Sequence, residues 1–307
     1  MSKKQKYLVI ITGPTAIGKT AVGIELANYF KTEIISADSR QMYKEMYIGT
    51  AVPSSDELKA AKHHLIQTKS VFDYYNASMF EFEVLDKLRD LFEKYDIVLM
   101  VGGSTLYIDA VCYGIDDLPT VDPNVRNEVI ARYQSEGIEY LQRELKLLDP
   151  AYYETVDLKN PSRLMKAIEI SVMTGKPYSS FLTAQRKERN FSILKIGLNC
   201  DRDILYNRIN QRVDAMIASG LEQEVRSLAY AREATALKTV GYREMFEFLD
   251  GKLTLTEAIA QIKMNTRRYA KRQITWFQRD KEMPWFQPNQ ILDVIEYISS
   301  LLVEKSI

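Results

Sequence analysis

Apolar and polar positions alternate along the chain on two different periods. Tyr7-Leu8-Val9-Ile10-Ile11 is apolar without a break, residues 33–37 and 96–101 read as further strands, each mostly apolar after an initial acid, and strand character returns at residues 192–198. Between the first two runs, Val22, Leu26, Tyr29 and Phe30 recur at i, i+4, i+7 and i+8; ahead of the third, Val84, Leu88 and Leu91 do so beside Leu85 and Phe92. Continuous apolar strands alternating with amphipathic helices predict an α/β fold, a parallel sheet covered on both faces. In such a sheet the ligand crevice lies at the carboxyl ends of the strands. Residues 13–20, Asp38 and Gly102-Gly103-Ser104 are expected to converge there.

From about residue 119 to 191 the pattern is helical throughout. Asp122-Pro123, Asp149-Pro150 and Asn160-Pro161 each offer a capping side chain followed by proline in the first turn, and Thr174-Gly175-Lys176-Pro177 reads as a stop. The stretch is therefore expected to be a helical insertion, 119–191, into a core made of 1–118 and 192–307. After residue 198, Asp201 or Asp203 can cap a helix that turns Leu205, Ile209, Val213 and Met216 or Ile217 inward and ends at Gly220. Arg208 and Arg212 share another of its faces. The remainder is helical, with the longest helix expected at 256–276.

Composition narrows this picture without redirecting it. The 307 residues are 46% hydrophobic, enough for a well-buried core, and 41 basic side chains balance 41 acidic ones. Nucleic-acid binding must then come from local clustering of charge. Cys112 and Cys200 form neither a disulfide framework nor a zinc pattern, which fits a reducing cytoplasm. Lys3, Lys4 and Lys6 ahead of the first apolar run superficially resemble a leader, but the run is short and leads into a glycine loop instead of a cleavage site. No apolar run approaches the ~20 residues that span a bilayer.

The chemistry begins at Gly13-Pro14-Thr15-Ala16-Ile17-Gly18-Lys19-Thr20, which fits G-x-x-x-x-G-K-[ST] directly after a strand and before a helix. Its glycines let successive N–H groups face one anion, Lys19 adds positive charge, and the Thr20 hydroxyl suits Mg²⁺. An ordinary glycine-bearing turn is the plain alternative. Asp38, just past the second strand, is a candidate proton acceptor; a metal-water ligand and a helix cap are its other readings. The strand at 96–101 carries no acid at its carboxyl end, which weakens a nucleotide-hydrolysing reading and leaves open a diphosphate held as leaving group. Lys263, Arg267 and Lys271, with Arg268 and Arg272 alongside, make one side of the last long helix basic, and Tyr269, Trp276 and Phe277 interleave. That pattern favours phosphate-backbone binding over a solvated face or a membrane surface. His63-His64 has no obvious partners for a metal site, and periodicity alone leaves Arg212 either paired with an acid or aimed into the crevice.

These motifs together resemble the tRNA dimethylallyltransferases, also called tRNA isopentenyltransferases, almost end to end. Besides the 13–20 loop they include Ser36-Ala37-Asp38-Ser39-Arg40-Gln41, Ile48-Gly49-Thr50-Ala51, His63-His64-Leu65-Ile66, Val101-Gly102-Gly103-Ser104 with Leu106-Tyr107, and Thr174-Gly175-Lys176-Pro177. Further on come residues 208–214, Gly220-Leu221, Val240-Gly241-Tyr242-Arg243 and, most distinctive, 266–277.

The resemblance implies a P-loop-like core with an inserted tRNA-binding domain, and Mg²⁺-dependent transfer of a dimethylallyl group from its diphosphate to N6 of the adenosine at tRNA position 37. Gly13, Pro14, Thr15, Ala16, Ile17, Gly18, Lys19 and Thr20 would hold the diphosphate, Thr20 also meeting Mg²⁺; Arg212 would contact the leaving group, and Asp38 would be the general base. Contacts to the anticodon arm would come from Asp38, Ser39, Arg40, Gln41, Ser104 and Arg126. They would continue through Ser162, Arg163, Leu164, Met165 and Lys166, then Lys238, Thr239, Val240, Gly241, Tyr242 and Arg243. Lys271, Arg272, Gln273, Ile274, Thr275, Trp276, Phe277 and Gln278 would complete them.

Ile17, Ser104, Gln67, Ser162, Lys166 and Gln278 depart from the common pattern. The changes at 162, 166 and 278 bear on tRNA affinity or choice more than on chemistry. No cysteine-histidine finger follows residue 280, as in the bacterial type. An adenylate isopentenyltransferase, a P-loop small-molecule kinase and a non-catalytic RNA-binding protein are the competing readings. A monomer is the default.

Overall fold

In the computed structural model, which describes residues 5–183 and 185–304, six strands form one sheet in the order β3-β2-β4-β1-β5-β6, every pair parallel. They are β1 Tyr7–Thr12, β2 Ile34–Ala37, β3 His63–His64, β4 Ile97–Gly102, β5 Ser192–Leu198 and β6 Trp285–Phe286. Lys3 and Lys4 lie outside the described residues.

β1 is central, paired with β4 on one side and β5 on the other, so Val9 lies opposite both Leu99 and Leu194. Its unbroken apolar run follows from this position. Leu8 and Ile10 enter a core with Phe80, Val84 and Leu88 of the helix Ala77–Lys94, while Val9 and Ile11 enter another with Val22 and Leu26 of the helix Lys19–Phe30. Both faces are covered, and the parallel α/β architecture is as expected. The two-residue edge strands β3 and β6 are additions that no apolar run announced, because pairs this short carry no periodicity.

Contacts divide the chain into two units, one of the described residues up to Tyr113 and from Glu188 on, the other Gly114–Lys187. These limits fall a few residues before the composition change at 119 and 191. The cause at one end is Arg189, whose guanidinium donates to Val111 O at 2.8 Å, Ala110 O at 2.9 Å and Glu81 at 2.7 Å, fastening it to the core. Within the second unit, Asp116 pairs with Thr183 and Asp117 with Lys187, tying its two ends together.

The second unit is helical: Pro123–Glu136, Ile138–Leu148, Pro150–Tyr153 and Pro161–Thr174 pack around Val129, Leu141, Leu145, Leu164 and Ile168. Asp122, Asp149 and Asn160 each cap the helix that follows, with proline in the first turn, and Gly175 ends the last in the left-handed conformation. In the first unit, Asp201 stands at the cap position of the helix Arg202–Ala218 without a side-chain hydrogen bond, and Asp203 lies in its first turn. The longest described helix, Leu255–Phe277, opens with a capping box between Thr254 and Glu257.

Candidate functional site

The loop after β1 takes the left-handed turns that its glycines allow. Gly13 and Gly18 have φ of 144° and 106°, and even Ala16 is left-handed at 63°, a conformation held by its surroundings. The Ile17 side chain is fully buried and its carbonyl accepts from Arg208 Nη1 at 3.1 Å. A large apolar residue at 17 therefore serves the core and leaves the loop's backbone free.

Lys19 Nζ donates to Gly13 O at 3.0 Å and Pro14 O at 2.8 Å, with no carboxylate bonded to it among the described residues. Desolvation draws its pKa down to about 7, against the opposing pull of Asp38 and with the help of Arg212. A cation poised this way gains most from a bound anion. Burial likewise lowers the Arg212 pKa, again opposed by Asp38. Arg212 has no hydrogen-bonded partner among the described residues and faces the crevice, which resolves its two readings.

Asp38 follows β2 and is half-buried. Its Oδ1 accepts from the backbone N–H groups of Arg40 at 2.8 Å and Gln41 at 3.2 Å, which orients the carboxylate. Ser104 is buried and its Oγ accepts from Ser39 N at 2.8 Å. The Gln41 amide donates to Thr50 O at 3.2 Å and Ala51 O at 2.9 Å, holding the loop that carries Thr50.

Two adjoining cavities meet at this carboxylate. The smaller is polar, lined by Ala16, Gly18, Lys19, Thr20, Gln41, Gly102 and Gly103; the larger is walled by Ile209, Val213, Met216, Val240 and Ile262. Thr15, Asp38, Thr50, Arg212 and Tyr269 line both. A polar chamber thus opens into an apolar one across a shared wall that contains one carboxylate and one guanidinium. Thr20 and Asp38 give the polar chamber a hydroxyl and a carboxylate oxygen. That donor set fits Mg²⁺ if the ion takes its other ligands from phosphate and water.

The basic helix is less exposed than its sequence implies. Lys263 pairs with Asp214 at 2.6 Å, and Arg267 donates to Asn210 at 2.7 Å, both partners being on the helix Arg202–Ala218. Arg268, Lys271, Arg272, Thr275 and Gln278 remain exposed. Gln273 and Phe277 are buried, as are Tyr242 and Leu164, so none of these side chains is open to bulk solvent, although Gln273 lines the polar cavity. The Trp276 indole donates to Asp109 at 2.8 Å. Thr239, Val240 and Gly241 line the apolar cavity, whereas Lys238 and Arg243 are exposed.

Arg126, Ser162, Arg163, Met165 and Lys166 belong to the second unit. Arg126 there makes a two-pronged pair with Glu169 at 3.1 and 3.3 Å. His64 Nε2 bonds Glu33 at 2.6 Å at the far edge of the sheet. Two site residues had no sequence signal: Glu224, which holds the 47–49 backbone, and Tyr269 in its role as a cavity wall.

Comparison with known proteins adds an independent finding. Residues 41–280 match the family model described as IPP transferase. The chain is 50% identical over 295 residues to tRNA dimethylallyltransferase 1 of Bacteroides fragilis, covering 96% of this chain and 98% of that one. It is 52% identical, with the same coverage, to tRNA dimethylallyltransferase of Christiangramia forsetii. Its fold is similar to the crystal structure of the full-length tRNA isopentenylpyrophosphate transferase from Bacillus halodurans, with a TM-score of 0.72, 35% identity, and coverage of 99% of this chain and 98% of that one.

Proposed function

The chain belongs to the IPP transferase family, and from that premise we propose that it is a tRNA dimethylallyltransferase, moving a dimethylallyl group from dimethylallyl diphosphate to N6 of the adenosine at position 37 of tRNA. The observation that carries the reading is the polar chamber opening into an apolar one across Asp38 and Arg212. A substrate that is diphosphate at one end and hydrocarbon at the other matches this pair.

The diphosphate sits in the nest of residues 13–20 beside Lys19, and the five-carbon group lies against Ile209, Val213, Met216 and Ile262. The reacting carbon is then at the shared wall. The adenine N6 lone pair attacks this carbon as its bond to the diphosphate oxygen breaks. Lys19, Arg212 and the loop N–H groups take up the charge growing on the leaving oxygens. The Thr20 hydroxyl would hold Mg²⁺ beside the diphosphate, and the ion would supply further positive charge there. N6 becomes ammonium-like as the new bond forms, and Asp38 takes its proton, so a carboxylate of ordinary basicity suffices.

The base must leave its stack to reach this wall, and the exposed Lys271 and Arg272 supply cationic surface for tRNA phosphates. No described helix is long and apolar enough to cross a membrane. The reading places the enzyme in the cytoplasm with its tRNA, and one chain carries every residue invoked, so a monomer suffices.

The test is incubation with dimethylallyl diphosphate, Mg²⁺ and unmodified tRNA, followed by nucleoside mass analysis with the position mapped. Dimethylallyladenosine at position 37 is the expected product. A phosphorylated acceptor, or prenylated AMP with tRNA untouched, would overturn the assignment.

A further inference from the structure

Gln273 is 3% exposed, and both ends of its amide are spent on site backbone. Oε1 accepts from Thr15 N at 2.9 Å, and Nε2 donates to Gly103 O at 2.8 Å. These partners end different strands: Thr15 belongs to the anion nest after β1, and Gly103 to the turn after β4. The next residue carries the link onward. Ser104 N donates to Ala37 O at 3.1 Å, and Ser104 Oγ accepts from Ser39 N at 2.8 Å, so Ser104 brackets Asp38 on both sides. There is little slack in the arrangement. A Cβ built on Gly103 would lie 2.4 Å from Gln273 Nε2, 3.3 Å from Gly13 O and 3.4 Å from Lys19 Nζ.

We propose that Gln273 is a positioning residue for the transfer reaction, setting the distance between the diphosphate nest and the Asp38 carboxylate. The inference rests on the transferase reading and deepens it. Departure of the diphosphate and proton capture at N6 occur on opposite sides of one carbon, so the nest and the carboxylate must be in register. The two belong to separate strand ends, β1 and β2, with β4 between them in the sheet. A primary amide suits the gap because one rigid planar group offers an acceptor to Thr15 and a donor to Gly103. Glutamate could keep only the first bond, and methionine neither, leaving a buried N–H and C=O unmatched. Its burial also separates Gln273 from its neighbours Lys271 and Arg272, which face solvent. Gln273 therefore acts on the chemistry from inside, where the family resemblance had grouped it with residues that touch tRNA.

Steady-state kinetics with dimethylallyl diphosphate and unmodified tRNA test this on wild type, Gln273→Met, Gln273→Glu, Ser104→Ala and the Gln273→Met/Ser104→Ala double variant. A small misalignment costs on the order of 100-fold in rate, so kcat of Gln273→Met should fall by roughly 30- to 100-fold while KM for tRNA stays within about threefold. Gln273→Glu should retain more activity because Thr15 keeps its acceptor. If it is Gln273→Met that fails to fold, Gln273→Glu against wild type carries the same kcat-to-KM comparison. The double variant should be no more than about threefold slower than the slower single one, since both changes disturb one spacing.

Unchanged kcat in Gln273→Met, a rise in tRNA KM alone, or multiplicative losses in the double variant would each overturn the proposal. A wild-type protein that leaves tRNA unmodified would instead remove the transferase reading, and this inference with it. An active wild type beside an equally active Gln273→Met sinks the inference alone.

Discussion

The phenol of Tyr242, fully buried, donates at 2.6 Å to Oε1 of Glu224, and the same carboxylate accepts from the N–H groups of Tyr47, Ile48 and Gly49 at 3.0, 2.6 and 3.0 Å. Two helices, Leu221–Ser227 and Tyr242–Leu249, thereby clamp the loop that brings Thr50 to both cavities. Tyr242→Phe should destabilise the protein by about 1–2 kcal/mol through loss of a buried charge-assisted bond, read as a lower urea midpoint. Gly49→Ala should cost more, because its Cβ would sit 2.6 Å from the Tyr242 ring. An unchanged midpoint in both would mean that the clamp contributes nothing to stability.

Asp38→Asn keeps an oxygen for the Arg40 and Gln41 N–H groups and so preserves the turn. It removes the basic lone pair. Transfer should fall by about 10²- to 10⁴-fold, the usual contribution of a positioned base, with tRNA affinity within about threefold in a filter-binding assay. Activity near the wild-type level would assign the proton to another group.

Desolvation holds the Lys19 pKa at about 7, below the ordinary lysine value of 10.5. Between these values the unfolded chain holds the proton and the folded protein does not, so this group makes stability rise as pH increases from 7 to 10.5 and leaves it flat below 7. A bound diphosphate restores the charge. Calorimetry at pH 8.5 in buffers of different ionisation enthalpy should therefore show uptake of a substantial fraction of a proton on pyrophosphate binding. Lys19→Met should abolish that uptake, and an equal uptake in the variant would trace it elsewhere.

Lys271 and Arg272 are exposed, whereas Lys263 is held by Asp214. Neutralising the first two should weaken tRNA binding and reduce the slope of log affinity against log salt by about 1.5, given ~0.7–0.9 per phosphate contact. Lys263→Met should leave the slope unchanged. Equal slopes for the two variants would remove the distinction between exposed and ion-paired cations.

Arg189 and Glu81 have side-chain exposures of 9% and 7% at a separation of 2.7 Å, where the chain re-enters the core. Arg189→Met leaves a buried carboxylate without this partner and should cost about 3–5 kcal/mol in chemical unfolding. Arg189→Met together with Glu81→Met should recover much of that loss; no recovery would show that Arg189 acts through its carbonyl contacts alone.

The parallel core was legible because its signals are local. Strand runs, helical repeats, the three Asp-Pro and Asn-Pro caps and the Gly18-Lys19-Thr20 turn each operate within a few residues of themselves, so backbone geometry enforces them wherever the element ends up. The glycine-rich turn after β1 and the location of Asp38 at a strand end were readable for the same reason. β3 and β6, two residues each, fell below the length at which alternation has meaning.

What the tertiary structure alone decided is how each side chain is spent. Lys263 and Lys271 occupy equivalent stripes of one helix, yet only the first meets an acid on a neighbouring helix. Gln273 reads like its exposed neighbours until packing turns its amide towards partners 258 and 170 residues away. Glu224 closes on a backbone loop 176 residues earlier in the chain. Such pairings depend on which elements the collapsed core brings together, and sequence periodicity says which face a residue is on but not what that face meets.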